Sequence, residues 1–105
     1  MSQIQETLES HAAPDTVEVN VRYLPAAHPF HQTYPPEIRL ETVRTEAMGY
    51  FGVQDRTERD TYRYYLGFEG QRVTDTSQTL GGLLGEHRRG VHFELIEEIT
   101  PGRAG

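Results

Sequence analysis

The sequence predicts an α+β roll, with one mixed sheet of four to five strands packed on a single helix. Three observations carry that expectation. Apolar and polar residues alternate strictly over 17–23, and 62–68 and the start of 91–99 place apolar residues at every second position on one face, the period of a half-buried strand. A single stretch, 37–50, instead repeats its apolar residues at spacings of three and four, the period of a helix. Proline and glycine punctuation separates these runs, and only one strand-to-strand step spans a helix while hairpins flank it.

The elements follow in order. Residues 1–15 are polar, short of aromatics and end in Ala-Ala-Pro-Asp, which reads as a flexible leader. Val17, Val19, Val21 and Tyr23 share one face of the first strand. Pro25 and Pro29 break it, and 30–34 returns as a weaker second strand. Pro35 and Pro36 stop the sheet. In the helix over 37–50 and just beyond it, Leu40, Val43, Ala47, Met48 and Phe51 form the stripe, and Gly49 or Gly52 ends it. Residues 55–60 are charged and read as a surface loop. The next strand directs Tyr62, Tyr64, Leu66 and Phe68 inward, Glu69-Gly70 turns the chain, and 71–73 runs back. Thr79 to Leu84 is a single tight helical turn whose leucines plug the core. The closing strand, 91–99, points Val91, Phe93 and Leu95 inward and leaves 100–105 as a tail. The domain boundaries are therefore 1–15, 16–99 and 100–105.

Composition narrows the function. At 105 residues the chain holds one domain. A formal net charge of −6 argues against nucleic acid, because nothing neutralises phosphates in a sequence-independent way. No apolar run spans a bilayer, no secretion signal opens the chain, and no cysteine is present, so the expectation is a cytoplasmic protein without membrane partner or disulfide. All ten basic residues are arginine. Codon bias in a GC-rich genome accounts for that, and so does a protein that must offer no ε-amine; the two are compatible.

The stretch Tyr65-Leu-Gly-Phe-Glu-Gly-Gln-Arg-Val-Thr-Asp, followed by Thr79-Leu80, resembles ubiquitin-like proteins of the β-grasp fold. The helix stripe Leu40, Val43, Ala47 and the closing strand with its glycine-ended tail match too, so the resemblance covers about 16–105. Within that family the chain is similar to members found in bacteria beside activating and conjugating enzymes and a metalloprotease. The resemblance implies a protein modifier joined to a target by an isopeptide or ester bond. Its partners would be a ubiquitin-activating-like enzyme, a conjugating-like enzyme, a deconjugating protease and the target protein. The chain itself would have no catalytic residue, no cofactor and no metal.

The conjugation residues so implied are Gly105, Ala104 and Arg103. A terminal glycine without Cβ enters a narrow channel and lies open to attack, Ala104 is nearly as slim, and Arg103 suits a partner's carboxylates. Six extended residues reach about 20 Å. Ala104-Gly105 replaces the family's diglycine, and Glu97-Glu98 replaces its basic strand end, so a dedicated activating enzyme is implied. A frayed terminus, a sulfur carrier and a non-covalent module are the alternatives. In the same family, partners grip an apolar patch on the outer sheet face. Its central isoleucine maps to Gly67 and its valine to Ile96, which leaves Tyr65, Gly67, Glu94 and Ile96 as the candidate partner-binding face.

Other patterns point to no chemistry. His28 and His31 have metal-like spacing but no third ligand nearby. His87-Arg88-Arg89 reads as a solvated loop, Gly81, Gly82 and Gly85 lack the lysine of a phosphate loop, and Ser10, His11 and Asp15 form no triad. Glu97 and Glu98 point to opposite faces of a strand and cannot share a proton. The run Tyr62, Tyr64, Tyr65 suggests base stacking, which the net charge opposes.

Overall fold

The structure is a computed structural model that describes residues 16–85 and 88–102. The leader over 1–15 lies outside those residues, as do Ser10, His11 and Asp15 within it. Eight elements run in the order β1 (Val17–Arg22), β2 (Phe30–Tyr34), α1 (Leu40–Phe51), β3 (Arg56–Thr57), β4 (Thr61–Phe68), β5 (Gln71–Arg72), α2 (Leu80–Leu84) and β6 (Gly90–Thr100). The sheet is ordered β2-β1-β6-β4-β3, with β5 paired to the end of β4. β1 and β6 run parallel in its centre and every other pairing is antiparallel, so the sheet is mixed as expected.

The alternation decides the faces. Val17, Val19 and Val21 on β1, Tyr64 and Leu66 on β4, and Val91, Phe93 and Leu95 on β6 all turn toward α1 and are buried. They meet Leu40, Val43, Ala47 and Met48 from the helix and Leu80 from α2 in one core cluster. Leu80 does plug the core, as the sequence suggested, being fully buried. Phe51, Tyr62 and Phe68 pack against the core from half-buried positions rather than inside it.

Helix α1 begins at Leu40 rather than Glu37. Its N-cap, Arg39, makes no side-chain cap, because arginine carries no acceptor. The orphan amides find carbonyls elsewhere: Leu40 N–H donates to Gln78 O at 2.9 Å and Glu41 N–H to Thr76 O at 2.9 Å. In return Leu80 N–H donates to Ile38 O and Gly81 N–H to Pro36 O, both at 2.8 Å. The two helix starts therefore lock together by exchanged backbone bonds. Thr79 caps α2 directly, its hydroxyl accepting from Gly82 N–H at 2.9 Å. α1 ends at Gly52, whose φ of 75° places it in the left-handed region.

The charged segment 55–60 is not all loop. Arg56 and Thr57 form β3, paired with Tyr62 and Thr61 of β4. Two residues give no periodicity to read, so the sequence hid this edge strand. Asp55 is structural as well: its Oδ1 accepts from Tyr64 N–H at 3.0 Å, while its Oδ2 pairs with Arg44 on α1. With β3 the sheet has six strands, more than the four to five expected. The Glu69-Gly70 turn has φ of 53° and 81°, a two-residue hairpin with both positions left-handed.

Candidate functional site

The outer face of the sheet, opposite α1, carries the residues that alternation turns away from the core. Tyr65 lies opposite Ile96, and Gly67 opposite Glu94, across the β4–β6 pairing. The structure thus brings all four candidate partner-binding residues onto one patch. Gly67 offers only backbone there, and Ile96 leans into the vacancy: a Cβ built on Gly67 would stand 2.7 Å from Ile96 Cδ1. Ile96 is half-buried by this, and Glu94 is exposed.

The hairpin adds a residue that sequence reading missed. Arg72 on β5 lies opposite Gly67, and its guanidinium sits 4.0 Å above the Tyr65 ring. Its Nη2 also reaches Glu98 Oε2 at 3.3 Å. Tyr65 is therefore covered by a cation held in place by an anion, and the apolar surface is smaller than a bare tyrosine would give. The two-residue turn at Glu69-Gly70 fixes the register that makes Arg72 face Gly67, so the turn was the available signal.

Beside this patch a cleft of about 750 Å3 opens between the loop after β1 and the β4–β5 turn. Asn20, Arg22, Gly67, His92, Glu94 and Ile96 are among its lining residues. Asn20 and Arg22 sit opposite His92 and Glu94 on the parallel neighbour, which makes two polar rows across the central strands. Alternation along β1 and β6 would have placed these residues outward; none looked chemical in isolation.

The opposite side of β6 is occupied by a phenol–carboxylate cluster. Tyr64 Oη donates to Glu97 Oε2 at 2.7 Å, and Tyr23 Oη approaches the same oxygen at 3.4 Å. Burial, and then the adjacent Glu97 charge, push the Tyr23 phenol up to about 12. The Tyr64 phenol is also raised, by burial first and by its hydrogen bond to Glu97 second. Glu97 and Glu98 thus serve opposite faces, as the strand geometry required. Among the described residues no group of three or more His, Asp or Glu could hold a metal ion, and no helix is long and apolar enough to cross a membrane.

Gly105, Ala104 and Arg103 lie outside the described residues. The chain leading to them is described: β6 stays paired to β4 as far as Thr100, opposite Thr61. Beyond it, Gly102 N–H donates to Asp60 Oδ1 at 3.1 Å.

The sequence matches no protein-family profile and no curated protein. Solved structures do superpose on it. A designed protein based on ubiquitin matches with a TM-score of 0.60 and 17% identity, covering 89% of this chain and all (100%) of its own. The ubiquitin of Caldiarchaeum subterraneum matches at 0.59 and 19% identity, covering 86% and 99%. A chain from the structure "Molecular Mimicry of SUMO promotes DNA repair" matches at 0.55 and 10% identity, covering 78% and 91%. At such identities the likeness speaks to fold alone. The chain has the ubiquitin-like β-grasp fold.

Proposed function

We propose that this β-grasp chain is a protein modifier. A dedicated activating enzyme adenylates the Gly105 carboxylate with ATP, releasing pyrophosphate. A cysteine thiolate of that enzyme displaces AMP to form a thioester, and a conjugating-like enzyme passes the acyl group to an amine or hydroxyl of a target protein. A deconjugating protease reverses the bond. The chemistry belongs to these partners, so the chain itself is no enzyme, and a cytoplasmic setting supplies the ATP.

One observation carries the reading: β6 runs from the centre of a ubiquitin-like sheet straight into the short sequence Thr-Pro-Gly-Arg-Ala-Gly. The outer patch of Tyr65, Gly67, Glu94 and Ile96 is the docking face for the partners. A ubiquitin-specific partner, expecting an apolar knob where Gly67 stands, would find backbone and a stacked arginine instead.

The test uses an N-terminally tagged chain in lysate of the organism that makes it, with and without ATP. The full chain is compared with one lacking Gly105, by denaturing gel and intact mass. Adducts that need both ATP and Gly105 establish a modifier. Replacement of a carboxylate oxygen by sulfur identifies a sulfur carrier instead. Identical non-covalent partners with no adduct from either chain identify an interaction module and end the modifier reading.

A further inference from the structure

Gly102 is the last described residue, and its tie to the body is close. Besides its 3.1 Å bond to Asp60 Oδ1, its Cα lies against Arg59, the residue before Asp60: a Cβ there would stand 1.8 Å from Arg59 O and 2.9 Å from Arg59 C. Backbone atoms cannot rotate out of the way as a side-chain tip can, so the contact accepts only glycine. The site belongs to the turn between β3 and β4, which is itself closed by Glu58 N–H donating to Asp60 O at 3.0 Å. Pairing of Thr100 with Thr61 delivers Gly102 to that turn.

We propose that Asp60 and Gly102 form a latch that holds the start of the tail on the β3–β4 turn, and that a partner must open it to draw the chain end into its own active site. The purpose of the latch rests on the modifier reading; its existence does not. With the latch closed, Thr100 to Gly102 stay on the body and take about 10 Å from the roughly 20 Å that six extended residues could reach. An enzyme that buries its reacting atoms deeper than the remaining reach must first break the Gly102 bond and lift the strand end. Asp60 is a positioning residue in this scheme: it touches no reacting atom and acts by fixing where the tail leaves the body.

The latch is tested without any partner enzyme. Trypsin cleaves after Arg103 only when the residues before that bond lie extended in its groove, so removal of Ala104-Gly105 requires Gly102 to leave Asp60. Intact mass follows that loss in wild type, Asp60→Ala, Asp60→Asn and Gly102→Ala. Asp60→Ala and Gly102→Ala should raise the clipping rate about three- to tenfold, the effect of one hydrogen bond. Asp60→Asn, which keeps an oxygen acceptor, should stay near wild type. Equal rates in wild type and Asp60→Ala, with both folded by circular dichroism, overturn the latch. Hydrogen exchange of the Gly102 amide in wild type gives an answer even if a variant fails to fold. A protected amide supports the latch, and exchange at the rate of an unstructured peptide overturns it. If clipping responds as expected but the lysate yields no ATP-dependent adduct, the modifier reading fails and the latch stands. If adducts form and clipping is indifferent to Asp60, the reverse holds.

Discussion

Ile96 fills the space that Gly67 leaves on the neighbouring strand, its Cδ1 only 2.7 Å from the point a Gly67 Cβ would occupy. The atom in the way is the far end of a flexible side chain, so it can swing aside. Gly67→Ala should therefore change unfolding free energy by less than about 1 kcal/mol, the strand-favouring gain of alanine offsetting the displaced contact. Urea unfolding measures it; a loss above about 2 kcal/mol would mean that Ile96 is locked. On the proposed docking face, partner binding should respond more strongly than stability, because the displaced Ile96 changes the surface that Tyr65 and Glu94 share with it.

Asp55, just before β3, joins two elements, accepting from the Tyr64 amide on β4 and pairing with Arg44 on α1. Asp55→Ala strands the Tyr64 amide and should destabilise the fold by about 1–3 kcal/mol. Asp55→Asn keeps the bond to Tyr64 and loses only a partly exposed ion pair, so about 1 kcal/mol or less is expected. Equal losses in the two variants, read by chemical denaturation, would show that the charge rather than the amide bond matters.

The phenols set an alkaline limit. Tyr23 is raised from 10.0 to about 12 in the folded chain, so the unfolded state ionises first. Stability from this residue is fully present below pH 10 and is lost as pH rises through about 12. Tyr64 and Tyr34 are shifted the same way, Tyr34 by burial and then by its bond to Glu46. Melting temperature should hold from pH 8 to 9.5 and then fall, and less steeply in Tyr23→Phe. A wild type and Tyr23→Phe that decline in parallel would show that Tyr23 is not the cause.

Leu80 is fully buried although its helix is only five residues long. Leu80→Ala should cost about 2–5 kcal/mol, as deep core truncations do. It should also loosen the start of α1, because Leu80 N–H donates to Ile38 O within the exchanged pair. Faster hydrogen exchange at Leu40 and Glu41 in that variant checks the coupling.

Much of this was legible in the chain because the signal was periodic. Val17, Val19 and Val21 alternate, and Leu40, Val43 and Ala47 repeat at helical spacing, so faces and layers could be read directly. What stayed hidden depends on partners distant in sequence. Arg39 gives no cap signal because Gln78 and Thr76 supply the acceptors. Arg56 and Thr57 are strand only because Tyr62 and Thr61 lie alongside. For the site, Tyr65 and Ile96 were readable as outward by alternation, whereas the Arg72 guanidinium over Tyr65 follows from hairpin register. The Asp60–Gly102 bond spans 42 residues and leaves no local trace.

The parallel pairing of β1 with β6 sets the order in which the molecule can be made. Of the six strands, β1 leaves the ribosome first and its central neighbour β6 last. Until β6 emerges, β1 has only the β2 hairpin, and an isolated hairpin is marginal in water. The nascent fold therefore stays open until β6 emerges, and its longest-range contacts form together. Termination anywhere inside β6 would leave the apolar faces of β1 and β4 without the strand that lies between them.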